Sequence, residues 1–71
     1  MASDLDARLL AAHAAGDLGA LVGLYAEAAE AADTVDAACF YLTHAYIFAL
    51  DTGDPRVGAL KARLVAAGRD T

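Results

Sequence analysis

The chain is poor in several things that common functions require. It holds one cysteine, Cys39, in 71 residues, so no disulfide can form within it. Five Lys and Arg stand against ten Asp and Glu, giving a net charge of −5 and a pI of about 4.5. Phosphate binding needs a basic face, so nucleic acid is not expected as a partner, and neither is an anionic membrane surface. A long apolar run is missing as well. The longest uncharged stretch, residues 37–50, falls short of the roughly 20 residues that span a bilayer, carries His44, and is flanked by Asp36 and Asp51. The N-terminal Met-Ala-Ser-Asp-Leu-Asp is acidic and lacks the apolar core of a secretory signal. One thiol fits a reducing compartment, and a cytoplasmic location is the expectation.

What is present is alanine and leucine at helical spacing. Hydrophobic residues make up 59% of the chain, but alanine favours helix while burying little area. Residues 37–50 hold both phenylalanines and two of the three tyrosines, without the period-2 alternation of a strand. They read as the central helix of a small all-α domain, too apolar to stand uncovered. Before it, Ser3 or Asp4 caps a first helix with a stripe of Leu5, Leu9, Ala12 and Leu10, ended by Gly16. Asp17 caps a second, with Leu18, Leu21, Val22, Tyr25, Ala28 and Ala29 on one side. Gly19 and Gly23 within it suggest close approach of a neighbouring helix. Asp33 or Thr34 caps the third, and Asp54-Pro55 opens the fourth, whose apolar face is Val57, Leu60, Leu64 and Val65. Lys61, Arg63 and Arg69 suit the C-terminal end of its dipole. The expected helices are about 4–15, 18–32, 35–51 and 55–67. Their connections are too short for anything but antiparallel neighbours, so one domain of four helices forms two stacked helical hairpins.

The halves resemble each other: Gly16-Asp17 and Gly53-Asp54 are matching corners, each between two helices. Leu42-Thr43-His44-Ala45-Tyr46 resembles the signature of tetratricopeptide repeats, and Leu21, Tyr25 and Ala28 after the first corner extend the likeness over most of the chain. Leu5 and Cys39 stand where the family carries tryptophan, and Asp33 replaces the proline between repeats. The resemblance implies a solenoid-like fold with a concave binding surface. It places Phe40, His44, Ile47 and Phe48 of the third helix on that surface, with Asp6, Leu10 and His13 opposite on the first and Tyr41 at the rim. Two repeats leave a face uncovered, because such repeats bury their faces against neighbours.

Two function classes follow. The first is a non-catalytic protein–protein interaction module: a small accessory subunit of a larger enzyme or complex, or a self-associating homo-oligomer. Its partner-binding residues are Phe40, His44, Ile47, Phe48, Leu10 and His13. The alternative is a small metal- or ligand-binding helical protein using His13 and His44. Spacing disfavours the second, since there is no Glu-x-x-His and no second cysteine, and Cys39 and His44 lie five apart. Neither a cofactor nor a resident metal is expected. Glu27 and Glu30 read as a solvated face, and Cys39 as a small buried hydrophobe. The only serine, Ser3, lies outside any Asp-Ser-Leu, which excludes an acyl carrier protein.

Overall fold

A computed structural model of the chain describes residues 4–68. They form four helices: α1 (Asp4–Ala15), α2 (Leu18–Ala31), α3 (Val35–Thr52) and α4 (Val57–Ala66). The domain is all-α, and consecutive helices pack as antiparallel hairpins. Ser3 and Arg69, assigned above to a cap and to a helix end, lie outside the described residues.

The corners follow from their residues. Gly16 and Gly53 adopt left-handed φ values of 67° and 66°, which cost glycine nothing. At each corner the next residue, Asp17 or Asp54, donates its N–H five residues back, to Ala12 O at 3.0 Å and to Ala49 O at 2.9 Å. These bonds use carbonyls that a helix end leaves without partners. The Asp17 side chain then accepts from Ala20 N at 3.1 Å, and Thr34 does the same for Ala37 N at 3.1 Å, so Thr34 rather than Asp33 caps α3.

The fourth helix departs from expectation. It begins at Val57, not at Pro55. Val57 N bonds Asp54 O at 3.1 Å, so residues 54–57 close as a tight turn before the helix proper. Asp54 is therefore not the N-cap: that position falls to Arg56, with no side-chain capping bond, and the Asp54 carboxylate instead accepts from Arg56 N at 2.8 Å within the turn.

The most extensive interface joins α2 to α3, across the two halves of the chain rather than within either. Leu21, Val22, Ala28 and Ala29 of α2 are buried, as are Cys39, Leu42, Ala45 and Ala49 of α3 and Leu60 and Leu64 of α4. Ala45 and Ala49 are fully covered, because alanine at the contact lets two helix axes come close. Thr43 is exposed, and its hydroxyl donates to Cys39 O at 2.8 Å. Val65, expected on the apolar face of α4, is exposed too. Gly23 admits no neighbouring backbone; the atom nearest to the place of its missing Cβ is Arg56 Nη1, at 3.0 Å.

The whole is a slab, 31 × 29 × 13 Å. α1 and α3 run in the same direction, each antiparallel to α2, and α2 floors the trough between them.

Candidate functional site

The trough has a filled half and an open half. Tyr25 of α2 is the hub of the filled half. Its ring stacks on His44 (centroids 5.2 Å apart, planes at 24°) and on Phe48 (5.7 Å, 24°), and meets His13 edge-on at 5.8 Å. Phe40 lies 4.5 Å from His44, and His13 reaches Phe48 edge-on at 6.2 Å. The structure therefore brings four of the six expected residues, His13, Phe40, His44 and Phe48, into one aromatic cluster spanning α1, α2 and α3. Aromatic pairs in such geometries contribute about 0.5–1.5 kcal/mol each beyond burial.

The other two, Leu10 and Ile47, stand outside the cluster. Leu10 lies on α1 between Asp6 and His13 at i+4 and i+7, so it borders the trough; it is 71% exposed. Ile47 follows Phe40 by seven residues on the outer ridge of α3. They are 49% and 58% exposed. Phe48, by contrast, is partly buried and packs against the core.

Both imidazoles are engaged. His13 Nε2 shares a hydrogen bond of 2.9 Å with the Tyr25 hydroxyl. His44 Nδ1–H donates to Phe40 O at 2.9 Å, which leaves Nε2 as its second nitrogen. Among the described residues no three His, Cys, Asp or Glu gather where they could hold a metal ion. Cys39 is a free thiol and is buried.

The open half is a cavity of about 420 Å³. Leu5, Asp6 and Leu9 of α1 wall one side, and Ala37 and Tyr41 of α3 the other. Ala28, Ala31 and Ala32 form the floor, and Asp33 and Thr34 close the end. Tyr41 joins the halves, since its ring also meets Phe40 at 5.5 Å and Tyr25 at 6.2 Å.

No protein-family model matches the chain, and no curated protein or solved structure matches it. The geometry alone carries the reading.

Three arginines are paired with carboxylates. Arg8 grips Glu27 with both terminal nitrogens (3.0 and 2.9 Å) and Asp4 through Nε at 3.0 Å. That pairing holds the Glu27 carboxyl below its ordinary range. Arg63 pairs with Glu30 at 2.8 Å, and Arg56 with Asp54 at 2.7 Å. No Lys or Arg lines the open half, where Asp6 and Asp33 are the charged residues.

Sequence reasoning missed Tyr25 as the hub and most of the open half. Leu5 and Leu9 read as core from their spacing. The signal for the cavity was the alanine run of α2 beside leucines on α1 and Tyr41 on α3: large walls over a floor without side-chain length. Among the described residues no helix is long and apolar enough to cross a membrane.

Proposed function

We propose that this chain is a non-catalytic protein–protein interaction module, a small accessory subunit that docks through the α1–α3 face onto a larger complex or onto a copy of itself. The observation that carries the reading is the exposure of Leu10, Phe40 and Ile47 beside a cavity on one face. Burying an exposed Phe or Ile side chain on docking stabilises a complex by about 1.5–3 kcal/mol. The engaged nitrogens of His13 and His44 and the burial of Cys39 favour docking over chemistry. A cytoplasmic setting fits the single buried thiol.

The test is native mass. Purified gently at endogenous level, the chain is expected to travel at a mass well above the 7.2 kDa of one copy. Phe40→Asp with Ile47→Asp should return it to single-chain mass with its helical circular dichroism intact. These two residues are chosen over Phe48, whose core packing would confound assembly with folding. A wild-type chain that runs alone overturns the proposal.

A further inference from the structure

Building on that docking reading, we infer that the open half of the trough receives a cationic amphipathic helix from another protein. Three observations meet there. The first is shape: Leu5 and Leu9 face Tyr41 across the alanine floor of α2, leaving about 420 Å³ where side chains from outside can enter.

The second is backbone chemistry. Every described element is a helix, so there is no strand edge on which an extended segment could add hydrogen bonds. An incoming segment has to satisfy its own backbone groups, which a helix does, presenting anchors at i, i+3, i+4 and i+7.

The third is sign of charge. Asp6 and Asp33 are the charged residues of the cavity, and the full charges on α3, Asp36 and Asp51, are also acidic. No Lys or Arg lines the cavity. With a net charge of −5 behind it, this face attracts Lys and Arg and repels a second copy of the chain or an acidic helix.

The experiment uses designed helical peptides of about four turns. One carries leucines along one face flanked by lysines. A second has the same leucines flanked by glutamates. A third has the composition of the first, scrambled so that no apolar face forms. Binding is read by fluorescence anisotropy and mapped by NMR shifts. The lysine peptide is expected to bind at least about tenfold more tightly than the glutamate peptide, with the gap narrowing as salt rises. Shifts should concentrate at Ala28, Ala32, Ala37 and Tyr41, and the scrambled peptide should not bind. Asp6→Asn with Asp33→Asn should bring the first two peptides together while circular dichroism is unchanged.

Equal binding of the lysine and glutamate peptides would overturn the inference while leaving the docking reading standing. So would shifts centred on α4, or no binding at all. The docking reading fails separately, on a native mass of one copy.

Discussion

Arg56 divides its guanidinium among several partners. Nε and Nη2 bond the Asp54 carboxylate at 2.9 and 2.7 Å, and Nη2 also reaches Gly19 O at 3.1 Å, so one side chain ties the α3–α4 corner to the start of α2. Gly23 is the residue that makes room. A Cβ there would lie 3.0 Å from Nη1, so the glycine serves the arginine and not a helix crossing. Gly58 has no such duty, because a Cβ there would meet nothing within 4 Å. The two glycines should therefore answer differently to alanine. Gly58→Ala is expected to stabilise by up to about 1 kcal/mol, the helix-propensity difference. Gly23→Ala should gain less or nothing, because the guanidinium must swing away and give up the Gly19 carbonyl. In an Arg56→Ala background Gly23→Ala should recover its gain. Urea unfolding of the four variants checks this, and equal gains at both glycines in the wild-type background would refute the account.

At the scale of elements, the α3–α4 corner is sensitive to acid. The Arg56 side chain and its N–H both bond the Asp54 carboxylate and lower its pKa from 3.8 to about 2. A carboxyl depressed on folding contributes stability that is present above its unfolded pKa and lost as pH falls through the folded one. The stability difference between wild type and Asp54→Asn should therefore be constant above about pH 4 and close as pH drops toward 2. Urea midpoints at stepped pH measure it; a gap that persists at the lowest pH would detach the pair from the corner. Helix ends were legible in the sequence because local chemistry decides them: Gly16, Gly53, Asp17 and Thr34 act within a turn of themselves. So was the stripe of α2, whose large residues all lie on one side. The orientation of α3 was only half legible. Its aromatics draw attention to one side, yet the buried contact with α2 is made by Ala45 and Ala49, whose small size matters only once a partner helix is in place. The cavity was illegible for a related reason. It is missing volume above Ala28, Ala31 and Ala32, and absence of side chains becomes a feature only when Leu5, Leu9 and Tyr41 are known to stand around it.

At the scale of the whole molecule, thinness governs stability. A slab 13 Å through has little interior, and Leu21 and Val22 are its largest fully buried side chains. A chain this short draws only about 3–5 kcal/mol from one core, so occupation of the trough should be a large fraction of its total stability. A ligand that binds only the folded state stabilises it by about 2.7 kcal/mol when present at 100 times its Kd. The lysine-flanked peptide should then raise the urea midpoint of the wild-type chain, and the glutamate-flanked peptide should leave it nearly unmoved at the same concentration. Self-association gives the opposite pattern. Mass action would make the midpoint climb with protein concentration and without any peptide. Two copies pressing α3 against α3 would bring Asp36 and Asp51 of each into one acidic interface, which low salt makes worse. The expected result at low salt is a midpoint independent of protein concentration over about a hundredfold range and raised only by the cationic helix. A midpoint that climbs with the chain's own concentration would assign the exposed face to a second copy instead.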